Sequence, residues 1–264
     1  MMGPAHSLSG AAAWLGAGAV ASATGYPMPW PVLVVGALIC AGAALAPDLD
    51  HKAATISRAF GPVSKRMCEI VDKLSHATYK ATRMKGDSAS RKGGHRTLTH
   101  TWLWAVLVGA GASAMAIFGG RWAVLFILFV HMVLAVEGLL WRAARVSSDI
   151  LVWLLGATSA WSLANTLDQP GNGADWLFTG PGQEYMWLGL PIILGALVHD
   201  IGDAITVSGC PILWPIPVGH KRWYALGTPK VMRFKAGAWV ENKVLMPAFM
   251  VVGGLCGVVA MGWV

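Results

Sequence analysis

Four short motifs stand out for the chemistry their residues could perform. They are His6, Pro47-Asp48-Leu49-Asp50-His51, Gly94-His95-Arg96-Thr97-Leu98-Thr99-His100, and His199-Asp200-Ile201-Gly202-Asp203. Imidazole and carboxylate are the usual ligands of zinc, manganese and iron. His199 and Asp203 are four residues apart, so on a helix they share a face. Asp200 projects about 100° away and suits a supporting hydrogen bond better than ligation. Asp48 and Asp50 lie just past a proline, where the chain need not be helical and both can turn inward. His6, Asp48, Asp50, His51, His95, His100, His199 and Asp203 together exceed the four ligands of a single zinc. Two ions, or one ion with a catalytic dyad, would use them. A metal pair suits phosphate ester hydrolysis, with one aspartate, Asp48, as base in place of ligand. Arg96 has the guanidinium geometry for a phosphate oxygen.

Plainer readings exist for each residue alone. A single histidine near a membrane surface, such as His6, His76 or His220, is commonly an interfacial polar group. Asp48 fits an N-cap, Arg96 a solvated loop, and Glu241 either an inward carboxylate or an ordinary surface one. His131 and Glu137 are six residues apart and do not share a helix face; Glu137 is the better placed of the two to support a site.

The elements that must position these motifs follow from the apolar pattern. Hydrophobic residues make up 55% of the 264 positions and charged residues 12%, about half the charge of a soluble domain. The mean hydropathy is +0.56. With 32 glycines and 14 tryptophans, the composition suits close-packed helices in a bilayer with indoles at its interfaces. Apolar runs predict spans over 8–23, 32–46, 102–118, 122–141, 150–167, 185–207 and 244–264. The fold expected is therefore an all-α polytopic bundle of about seven transmembrane helices, one integral membrane domain over 1–264. Residues 52–93 interrupt it as a basic amphipathic insertion with a loop at 85–94, suited to a membrane surface and its anionic headgroups. Cys40, Cys68, Cys210 and Cys256 form no CxxC pair and predict no disulfide framework.

Counting spans places every motif at one membrane face. The loops on that face carry nearly all the lysines and arginines of a chain with net charge +7, while Arg121 alone falls on the other. The positive-inside rule makes the basic face cytoplasmic. The basic balance needs no nucleic acid, since no basic strand is interleaved with aromatics.

At these residues the chain resembles the LexA-regulated, membrane-bound, predicted metal-dependent hydrolases (YdjM-like). The matching blocks are His6, PDLDH at 47–51, GHRTLTH at 94–100 and LGALVHDIGDAITVSGCPILWP at 194–215. Their order and spacing match over most of the chain. The chain departs in its long basic insertion and in Thr101, where relatives often carry serine. The resemblance implies inner-membrane location and a hydrolase activity that uses metal. A looser similarity, in ligand types, is to zinc-dependent phospholipase C enzymes.

The expected function is thus a membrane-bound metal-dependent hydrolase, using zinc, manganese or iron, one or two ions. Its substrate would be a phosphoester such as a phospholipid or lipid-linked phosphate. The alternatives are an ion or metal transporter, or a scaffold with a structural metal. Transport fits less well, because the candidates gather at one face, whereas a path needs polar groups at several depths.

Overall fold

The structure, a computed structural model, describes residues 1–88 and 94–263. Arg91, Lys92 and the middle of the predicted 85–94 loop lie outside them. Among the described residues the chain is helical, with isolated bridges and no strand. The helices are α1 (Gly3–Ala23), α2 (Trp30–Ala43), α3 (Ile56–Ala59), α4 (Pro62–Thr82), α5 (Trp102–Leu139), α6 (Trp141–Ala144), α7 (Asp149–Leu167), α8 (Gly189–Ala204) and α9 (Met246–Ala260).

Five helical segments are long and apolar enough to cross a membrane, fewer than the seven spans expected: Trp30–Asp50, Trp102–Leu139, Asp149–Leu167, Met186–Ala204 and Glu241–Ala260. Two features account for the difference. The predicted spans 102–118 and 122–141 are the two arms of α5, broken at Gly120, whose φ of 58° and ψ of −151° leave the helical region. Glycine tolerates that conformation because it has no Cβ. The arms double back, since Gly138 abuts Ser7 and Leu45 at the end where Thr99 and His100 lead into α5. The other feature is α1, whose glycines, serines and His6 make it less apolar than the rest.

Close helix approach sets the geometry of the bundle. Gly10 of α1 and Gly195 of α8 both face the Cys40 carbonyl of α2; a Cβ there would lie 2.6 Å and 2.5 Å from that oxygen. The three helices therefore touch backbone to backbone, one turn before the chain leaves α2 for the Asp48 motif. Small residues are the usual means of such contact in membranes. Replacing Gly195 by alanine should push α8 from α2 and cost about 1–3 kcal/mol, read as a lowered unfolding temperature of the detergent-purified protein. An unchanged unfolding temperature would show that the contact is not tight.

The two ends of the bundle differ. At one, Arg121 pairs with Asp168, and Tyr185 donates to the same carboxylate. At the other sit α3, α4, and the irregular segment 205–240. Within the 52–93 insertion, α4 buries Ser64, Cys68, Val71, Ser75 and Tyr79 and exposes the helical stripe Val63, Met67, Ile70 and Leu74. The Asp87 carboxylate fastens the insertion to the 205–240 segment by accepting the Met84, Arg222 and Trp223 N–H groups at 2.8, 3.2 and 3.0 Å. All four cysteines are free.

Candidate metal centre

Four separate elements deliver the motifs to one buried point. The first turn of α1 carries His6. After α2, Pro47 opens a 3-10 turn, Ala46–Asp50, that presents Asp48 and Asp50. A second 3-10 turn, Leu98–His100, places His100 just before α5, with His95 leading into it. The last turns of α8 carry His199 and Asp203 on one face, with Asp200 buried beside them. His6, His100 and His199 are fully buried; Asp50 and Asp203 nearly so.

Four donor atoms form the centre of this cluster. His100 Nε2 lies 3.3 Å from His199 Nε2, and both lie 3.7 Å from Asp48 Oδ1. Asp203 Oδ2 is 3.6 Å from His100 Nε2 and 3.8 Å from His199 Nε2. Tetrahedral ligands about 2.0–2.1 Å from a zinc ion are separated from one another by about 3.3 Å. Five of the six separations among these donors are thus close to the tetrahedral value, with Asp48 and Asp203 flanking the His100–His199 pair.

The hydrogen bonds around the cluster aim the ring nitrogens. His199 Nδ1–H donates to the Ala44 carbonyl at 2.8 Å, leaving Nε2 for the cluster. Thr99 donates its hydroxyl proton to Asp50 Oδ2 at 2.7 Å, so its oxygen accepts from His100 Nδ1–H at 3.0 Å. His100 Nε2 is thereby turned inward. Such outer partners fix the tautomer of a metal-binding histidine. The His6 ring stacks on His199 with centroids 3.7 Å apart, and its Nε2 is 3.3 Å from Asp203 Oδ1. Gly202 makes room, since a Cβ there would lie 3.3 Å from the His6 ring.

Charge balance gives a second test of whether a cation fits. Asp48, Asp50, Asp200 and Asp203 crowd a region where burying an uncompensated carboxylate is costly. Arg96 answers Asp203 at 2.9 Å, as does the terminal amine of Met1. Both Asp200 carboxylate oxygens and His6 Nδ1 are buried without a hydrogen-bond partner. Burial pulls the His100 imidazole down, but the neighbouring carboxylates of Asp48, Asp50, Asp200 and Asp203 outweigh it and raise it to about 9. This is an environment short of positive charge, and a divalent ion fits it.

Of the sequence-predicted ligands, three overlapping groups gather seven: His6, His199 and Asp203; Asp48, His100 and His199; Asp50, His95 and His100. Shared His199 and His100 make them one continuous cluster. His51 is outside these groups; it is exposed and its ring lies tilted against His95, centroids 4.7 Å apart. Arg96 points into the protein, bonding Asp203 and, at 2.9 Å, Thr206. Glu137 stands apart, in a cleft with Arg58 and Asp149, and His131 bonds its own helix at the Ile127 carbonyl. Glu241 is fully buried, accepting the Met2 and Gly237 N–H groups at 2.5 and 2.7 Å. Sequence reasoning missed Thr99 and the Ala44 carbonyl. Thr99 had a signal, its position beside His100 in the motif; a carbonyl has none.

A family model described as YdjM inner membrane protein matches residues 1–264, the whole chain. No curated protein and no solved structure gives a significant match.

Proposed function

The chain belongs to the YdjM inner membrane protein family, and from that premise we propose that it is a metal-dependent phosphoester hydrolase working at the cytoplasmic face. The observation that carries the reading is the cluster of Asp48, His100, His199 and Asp203, in which the two imidazole nitrogens are 3.3 Å apart and each carboxylate oxygen lies 3.6–3.8 Å from both. These four residues would hold the ion, and zinc suits the donor set best. When bound, it would supply Lewis acidity that makes water a nucleophile at neutral pH and polarises a phosphoryl oxygen.

The remaining residues divide the other tasks. Asp48 Oδ1 lies between His95, His100 and His199, 3.7–3.8 Å from each, a ligand's position more than a base's. The base role passes to His95, whose Nδ1 is held 3.0 Å from Asp50 Oδ1. His95 has a 35% exposed side chain, whereas His6, His100 and His199 have none, so water and substrate would meet it first. Asp50 orients the ring and would stabilise its charge after proton uptake. Arg96 fixes the Asp203 carboxylate.

A lipid-linked substrate is supported by the setting. The cluster sits at one end of a bundle of apolar helices, beside α4 with its exposed apolar stripe. A headgroup could enter from that end with its chains still in the bilayer. The test is metal analysis of the purified protein followed by phosphate release from phosphatidic acid and polyprenyl phosphates. About one or two equivalents of metal, and activity abolished by chelation and restored by zinc, are expected. Metal-free wild type after reconstitution would overturn the metal reading. Stoichiometric metal with no release from any phosphoester would overturn the hydrolase reading alone.

A further inference from the structure

A cavity of about 640 Å³ lies at the same end of the bundle as the metal cluster, between the start of α1, α6 and the start of α9. Its walls include Arg142, Arg145 and Lys243, together with Trp141, Met246 and Met250. Met2 also lines it, and adjacent Met1 contacts Asp203, so the groove lies behind the metal cluster and is separated from it by the first turn of α1.

Its charge is one-sided. No carboxylate lines it. The arginine ion pairs elsewhere, Arg66–Glu69, Arg96–Asp203 and Arg121–Asp168, do not involve its three cations. Glu241, next in sequence to Asn242 and Lys243, is buried and satisfied by backbone N–H groups. The guanidinium carbons of Arg142 and Arg145 lie 5.1 and 4.8 Å from the Trp141 ring centroid, cation–π contacts that hold both side chains at the groove. An adjoining cleft shares Trp141 and Arg145 but also carries Glu137 and Asp149, so an anion would favour the first groove.

We infer that this groove binds the phosphate headgroup of an anionic phospholipid. Basic pockets between membrane helices suit such headgroups. The apolar side of the groove decides for a lipid over a soluble phosphate. Trp141, Met246 and Met250 line it, and Met250 is 57% exposed. A headgroup at the three cations would lay the start of its acyl chains against that apolar wall.

Native mass spectrometry of the detergent-purified full chain, titrated with phosphatidylglycerol or phosphatidylcholine, tests this. Wild type should retain phosphatidylglycerol well over phosphatidylcholine, and millimolar inorganic phosphate should not displace it. Arg142→Ala/Arg145→Ala/Lys243→Ala should bind phosphatidylglycerol roughly a hundredfold more weakly with its metal content unchanged. Should that variant misfold, Arg142→Gln/Arg145→Gln keeps the size and polarity of the site and should lose most of the selectivity. Equal retention of both lipids by wild type, or undiminished phosphatidylglycerol binding by a folded variant, would overturn the assignment. Displacement by inorganic phosphate would reassign the groove to a soluble anion.

Discussion

The His199→Ala/Asp203→Ala double variant is expected to purify essentially without metal, against about one or two equivalents in wild type. The two substitutions remove two of the four proposed ligands and two of the three donors in the neighbouring His6 group. A four-ligand zinc site is worth about 10–16 kcal/mol, so losing two ligands should weaken binding by roughly four orders of magnitude. Asp203 also neutralises Arg96 at 2.9 Å, and an unpaired buried guanidinium is destabilising. His199→Gln/Asp203→Asn is therefore the companion variant, since it preserves shape and a hydrogen-bond acceptor for Arg96. Elemental analysis after size exclusion reads both. Wild-type metal content in either folded variant would move the centre toward Asp50 and His95.

The second large effect is on pH. His100, raised to about 9, is protonated in the metal-free protein at neutral pH, and a metal must displace its Nε2 proton. Apparent metal affinity should consequently rise about tenfold per pH unit, roughly a hundredfold between pH 6 and 8, and level off above about 9. The sign for stability is opposite. Because the folded value lies above the ordinary 6.5, the charged imidazole stabilises the metal-free protein fully below that value, and the contribution disappears as pH rises through about 9. Chelator competition from pH 6 to 9, in wild type and His100→Gln, measures the slope. A flat wild-type profile would remove His100 from the ligand set.

These expectations rest partly on sequence and partly on packing. Hydrophobic runs and charge asymmetry sufficed to read an all-helical membrane protein with its motifs at one end, because the bilayer imposes long apolar helices and both signals are local. The break at Gly120 follows from the gap between the apolar runs 102–118 and 122–141, whereas α1, rich in glycine and serine, carries a weaker apolar signal than the other spans. The ligand types were legible as well, since His199 and Asp203 share a face by helical spacing alone. Selecting among the candidates required tertiary structure. His51 follows Asp50 directly, yet the 3-10 turn sends Asp50 inward and leaves His51 exposed, a difference that depends on how Pro47 and the end of α2 are packed. Arg96 reads as a free loop cation until α8 brings Asp203 within 2.9 Å of it. The tautomers of His100 and His199 were beyond sequence altogether, because they depend on a threonine hydroxyl and a backbone carbonyl brought close by glycine contacts between α1, α2 and α8. Residue type and spacing determined which chemistry was available; the backbone-to-backbone approach of three helices decided which atoms converge to perform it.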